Sequence, residues 1–145
     1  MKTLLIFLLI STSSIALRAQ ENQEAQAEIT SILLRQQNCW NQGDINCFMK
    51  GYWESDSLMF IGKEQVYRGF ESTLQRYLKS YPDRDAMGQL TFTFKSMQAL
   101  SEDAFYVVGS YHLARIGDLG DLSGHFTLLW RKIEGEWVIV ADHSS

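Results

Sequence analysis

The sequence predicts an α+β domain, with N-terminal helices packed on a curved, mainly antiparallel sheet. Two observations predict it. Apolar residues recur every three or four positions as far as Tyr81, then every second position from Gly88 onward. The turn signals "SED", "GDLGDLSG" and "EG" also divide the second half into four runs of strand length. Helices followed by a meander is the order in which helices cover one face of an antiparallel sheet.

Each element follows from its own pattern. "EAQAEITSILLRQQNCWNQGD" sets Ile29, Ile32, Leu33, Gln36 and Trp40 on one helical face. Gly43 is a natural stop, and Asp44 stands where an N-cap belongs ahead of "INCFMKGYW", a shorter helix. "SLMFIG" and "QVYRG" read as brief strands. "FESTLQRYLKSYP" returns to helical spacing through Phe70, Leu74, Tyr77, Leu78 and Tyr81, and Pro82 closes it. In "GQLTFTFKSMQAL", Leu90, Phe92 and Phe94 alternate with Gln89, Thr91, Thr93 and Lys95, so one face is apolar and the other polar. "AFYVVGSYHLARI", "GHFTLLWRKI" and "EWVIVADHSS" supply three more strands.

Residues 1–19 stand apart from this pattern. Lys2, the apolar run Leu4 to Ile10 and the small and polar residues up to Ala19 have the layout of a secretory signal peptide. The run is too short to span a bilayer. The expected domain is therefore residues 20–145, secreted or periplasmic, with no membrane association after cleavage. The 145-residue chain carries 13 basic and 17 acidic residues; without Lys2 and Arg18 the excess of acid grows. An acidic domain with no dense basic stripe excludes nucleic acid as a partner, since phosphate neutralisation dominates that binding.

Cys39 and Cys47 are the two cysteines. In an exported protein such a pair invites a disulfide, and the alternative is two small buried apolar residues on neighbouring helices. No phosphate-binding loop, dinucleotide fingerprint or nucleophile elbow is present, so no cofactor is expected. His112, His125 and His143 lie on three strands without HxH or HxxxH spacing, so no metal is expected either.

The runs "CWNQGD", "FMKGYWESDSLMFIG", "YPDRDAMGQLTF", "VVGSYHLAR" and "GHFTLLWRKIEGEWVIVADHSS" resemble an exported bacterial branch of the nuclear-transport-factor-2-like, or SnoaL-like, superfamily. The resemblance implies a cone-shaped fold with a pocket between helices and sheet, and a homodimer through the sheet's outer face. It does not imply a reaction, because this fold hosts enzymes, binders and assembly modules. Tyr52, Tyr67, Tyr77, Tyr81, Tyr111, His112, His125 and His143 supply residue types used by ketosteroid isomerases and scytalone dehydratase. They align to neither constellation, so neither activity carries over.

Strict alternation along the last strand puts Trp137, Ile139, Ala141 and His143 on one face and Asp142 on the other. On that phase His143 faces the core as a structural clamp or as a pocket base, with frayed ends the third possibility; Asp142 faces away, within reach of Arg131. The expected catalytic set is His143 with Tyr111 or Tyr52 as hydrogen-bond donor. Trp40, Phe48, Trp53, Tyr77 and Trp130 are the aromatics expected around a small apolar ligand. Two functions compete: a pocket protein, catalytic through proton transfer or not, and a non-catalytic dimeric module whose cone is filled by its own side chains.

Overall fold

Helix α1 (Thr3–Asn41) buries the face that the spacing predicts: Ile29, Ile32, Leu33, Gln36 and Trp40 are all buried. The computed structural model describes the backbone of residues 3–145 and the side chains of residues 16–145. The expected signal peptide falls largely on side chains outside the described residues. No helix among the described residues is long and apolar enough to cross a membrane. Gly43 ends the turn after α1 with φ 82°, a conformation that favours glycine. Asp44 then caps α2 (Ile45–Met49), its carboxylate accepting from the Cys47 N–H at 2.8 Å.

Two short strands follow, β1 (Met59–Ile61) and β2 (Val66–Arg68), then α3 (Phe70–Ser80). On α3 Thr73 and Tyr77 are buried, Phe70 and Leu74 are half-buried, and Leu78 is exposed. A further short helix, α4 (Arg84–Met87), is capped by Asp83 and was not evident in the sequence pattern. Its Arg84 guanidinium donates to the carbonyls of Trp40 (2.9 Å) and Asn41 (3.0 Å), closing the C-terminal end of α1.

The long strands are β3 (Gln89–Ser101), β4 (Ala104–Ala114), β5 (Leu122–Ile133) and β6 (Glu136–Ser144). Strand order is β2-β1-β6-β5-β4-β3, antiparallel throughout apart from the parallel β1–β6 pair. β3 is an edge strand, and α1 occupies part of its free edge. Gln37 accepts from the Phe92 N–H at 2.7 Å; Asn41 accepts from the Leu90 N–H at 2.6 Å and donates to the Leu90 carbonyl at 3.0 Å. Backbone groups that would otherwise invite another strand are thereby satisfied within the chain.

Three register shifts bend the sheet, two in β3, of which the second leaves Leu100 extra between Ala99 and Ser101, and one in β6. In β3 the register passes from Phe94–Gly109 to Ser96–Val108, leaving Lys95 as the extra residue. In β6 it passes from Trp130–Ile139 to Leu129–Ala141, leaving Val140 extra. Gly109 lets the inner layers close up, because a Cβ there would occupy the Phe126 ring. The apolar core joins α1 and α2 to the inner face through Phe48, Phe60, Phe105, Val107, Trp130 and Ile139.

Cys39 and Cys47 form a disulfide, with Cα atoms 5.5 Å apart. It ties the end of α1 to α2, the two helices that carry Trp40 and Phe48. Chain-entropy reasoning assigns a loop this short about 2.5 kcal/mol. The Cys39→Ala, Cys47→Ala double variant should therefore lose about that much stability in urea unfolding, and an unchanged midpoint would show that the bridge constrains nothing.

Candidate functional site

Between helices and sheet lies a cavity of about 90 Å³. Its inner wall is built from Trp40, Phe48, Tyr52, Phe60, Tyr77 and Phe126, all buried. The rings meet edge to face: Trp40–Phe48 and Phe48–Tyr77 both at 5.2 Å between centroids, Phe60–Tyr77 at 5.6 Å. The lining residues that keep partial exposure are Arg76, Tyr81, Phe92, Tyr111 and Ser144, and these form the rim.

One carboxyl group enters this aromatic enclosure. Asp142 is 3% exposed and lies on the inner face of β6. Its Oδ2 accepts from the Tyr52 hydroxyl at 2.7 Å, and its Oδ1 accepts from the Ser144 hydroxyl at 2.8 Å. The Tyr52 and Tyr77 hydroxyls are 3.1 Å apart. Since Tyr52 has a single hydroxyl proton and gives it to Asp142, Tyr77 is the donor in that second contact. The result is a relay, Tyr77 to Tyr52 to Asp142, along the cavity floor.

Burial governs the proton affinities here. Desolvation pushes the Asp142 carboxyl above its ordinary value, while the bonds from Tyr52 and Ser144 and the charges of Arg76 and His143 pull the other way. Desolvation, reinforced by the Asp142 charge, raises the Tyr52 phenol well above its usual range, and the same two effects raise Tyr77. Tyr111, at the rim, is raised mainly by desolvation. Both phenols of the relay thus remain protonated donors at neutral pH, and Asp142 is the group able to exchange a proton.

The last strand departs from the expected phase. Trp137 and Ile139 face inward as alternation requires, but the extra residue Val140 shifts everything after it by one position. Asp142 and Ser144 therefore turn into the cavity, and His143 is exposed on the outer face. His143 is neither the clamp nor the pocket base that alternation suggested. Arg131 pairs with Asp103 at 2.5 Å and not with Asp142. His112 and His125 also lie exposed on the outer face, His112 beside Asp121 at 2.9 Å. No group of three metal-ligating side chains occurs among the described residues.

Of the other residues singled out from sequence, the structure brings Tyr52, Tyr111, Trp40, Phe48 and Tyr77 to the cavity. It does not bring Trp53 or Trp130 there. Tyr52 bridges to Ile139 with its side chain inward, so the next residue, Trp53, points elsewhere and is half-buried. Trp130 does face inward, but it is fully buried beside Ile139 and Phe105 in a region filled by core side chains. Asp142, Ser144, Arg76 and Gln36 are cavity residues that sequence reasoning did not place there.

This arrangement of helices on a bent six-stranded sheet is shared with known structures. The chain is 41% identical to an NTF-2-like protein of unknown function from Shewanella oneidensis, covering 83% of this chain and 98% of that one at a TM-score of 0.78. Two more distant structures share the fold. An NTF2-like protein of unknown function from Pseudomonas putida has 16% identity, coverage of 85% and 87%, and a TM-score of 0.69. A ketosteroid isomerase-like protein from Erwinia carotovora atroseptica has 18% identity, coverage of 82% and 93%, and a TM-score of 0.63. The chain belongs to the nuclear-transport-factor-2-like superfamily. A scan of protein-family models finds no match, and neither does a comparison with curated proteins.

The raised proton affinity of Asp142 has a measurable sign. The folded state binds a proton at this site more readily than the unfolded chain, whose carboxyl titrates near the ordinary 3.8. Folded stability from this group is therefore lowest near neutrality and recovers as pH falls from the raised value toward 3.8. Asp142→Asn, which mimics the protonated form, should melt at or above the wild type at pH 7, with the difference shrinking as pH is lowered. A difference independent of pH in thermal unfolding would refute the assignment.

Proposed function

We propose that the protein is an exported small-molecule pocket protein in which Asp142 accepts a hydrogen bond or a proton from a compact, mostly apolar ligand. The observation that carries the reading is a buried carboxyl, raised in proton affinity, at the floor of an aromatic-walled cavity. The open space of about 90 Å³ favours this reading over a self-filled cone. Proton transfer is the chemistry this inventory supports: Asp142 takes a proton, and Tyr52, released from the carboxylate it had been serving, turns to the oxygen of the ligand where charge develops. Tyr77 stays behind Tyr52 as its donor. Calorimetric titration with phenol at pH 7 tests the reading. Wild type should bind saturably, and Asp142→Asn should bind about tenfold more weakly, the loss of one charge-assisted hydrogen bond. The absence of saturable binding to wild type would sink it.

Export and self-association complete the proposal. Residues 1–19 supply the export signal, and the outer sheet face supplies the contact surface. There Met59, Ala141, Leu129 and Tyr106 form a cross-strand row over four strands, with Tyr106 37% exposed and the others half-buried. This face lies opposite the helices, so a second copy is the cover that suits it. Protein recovered from the periplasm of an expressing bacterium should begin near Gln20 by mass spectrometry and sediment as a dimer, with Leu129→Glu shifting it toward monomer. A monomer that still begins at Met1 would overturn both parts.

A further inference from the structure

The rim of the cavity carries a positive charge that no acidic side chain pairs with among the described residues. Arg76 projects from the middle of α3, lines the cavity and is half-buried. Its guanidinium carbon lies 4.3 Å from the Phe60 ring centroid and 4.8 Å from that of Tyr77. Stacking on two aromatic faces holds the planar fork in place. The ion pairs among the described residues belong to Arg18, His112 and Arg131. Asp142, the carboxyl in the same cavity, has both oxygens engaged, one by Tyr52 and one by Ser144.

The neighbours of Arg76 on the rim are also donors. Tyr81 and Tyr111 line the cavity and are half-buried, and among the described hydrogen bonds their hydroxyls take no part. An oxygen anion at the rim would thus meet a forked cation and phenolic donors, while the rest of the ligand lies against aromatic faces. The valence follows from the charges. A single guanidinium matches a single negative charge, and the Asp142 carboxylate deeper in the cavity opposes a second one. A planar carboxylate fits the fork in two parallel hydrogen bonds.

Resting on the pocket reading above, we propose that the ligand is a small monocarboxylate: an apolar, ring-sized body with its carboxylate held at the rim by Arg76 and Tyr111, and a hydroxyl or similar donor reaching Asp142. Arg76 is then the residue that selects acids over neutral molecules of the same shape.

Two probes that differ only in charge test this. 4-Hydroxybenzoate and 4-hydroxybenzamide carry the same ring and the same phenol for Asp142, and only the first is an anion at pH 7. Calorimetric titrations are run at about 0.15 M salt, where long-range attraction is screened. Wild type should bind the acid at least tenfold more tightly than the amide. Arg76→Gln should remove that preference and leave amide affinity within about threefold, whereas Arg76→Lys, which keeps the charge and loses the fork, should retain part of it. Circular dichroism melting establishes that both variants are folded. Equal binding of the two probes by wild type, or a preference that survives Arg76→Gln, overturns the proposal and leaves the pocket reading standing. Failure of folded wild type to bind either probe overturns both.

Discussion

Val140 is a residue that β5 does not match, and the character of the cavity turns on it. Were Val140 paired in the regular ladder, the alternation set by Trp137 and Ile139 would run on unbroken, bringing Ala141 and His143 inward and turning Asp142 outward. With Val140 unmatched, the inner face of the last strand changes from apolar to acidic within three residues. The same bulge turns the carboxyl to the face where Tyr52 reaches it. The bulge at Val140 therefore sets the polarity of the floor and adds to the bend of the sheet.

Burying a carboxyl among aromatic rings costs several kcal/mol unless its oxygens are served by donors. Tyr52 and Ser144 do this from different directions: one from the segment after α2, the other two residues along the same strand. Tyr77 supports Tyr52 from α3. Three separate parts of the chain thus converge on Asp142, and the rings that carry two of the hydroxyls also form the cavity wall. Core packing and site chemistry use the same side chains. A substitution among them will disturb both together, so stability has to be measured beside binding whenever one of them is changed.

Much of the fold was legible because its signals are local. Ile29, Leu33 and Trp40 repeat at helical spacing, Asp44 caps where it stands, and "QLTFTF" alternates without interruption. The site was legible only in part. Tyr52, Phe48 and Tyr77 are large residues on apolar faces, which is enough to suggest a wall. Asp142 was read onto the wrong face for a definite reason: "WVIVA" is apolar at five consecutive positions, so it carries no alternation from which an inserted residue could be noticed. Arg76 was missed because a single arginine on a helix otherwise rich in polar residues looks like any solvated cation. Only the position of Phe60, brought from β1 to the far side of the guanidinium from its neighbour Tyr77, distinguishes it.

The parallel pairing of β1 with β6 also governs when the molecule can come into being. β1 and β2 precede the four long strands in sequence, yet β1 borders β6, the last of the six. Until β6 is in place, the β1–β2 hairpin has only itself as a sheet partner, and an isolated hairpin is marginal in water. The floor of the cavity arrives last as well, since Asp142 and Ser144 belong to β6. The sheet thus stays in two pieces until β6 joins them, a contact of high sequence separation. The chain therefore acquires its cavity only once β6 is in place between β1 and β5.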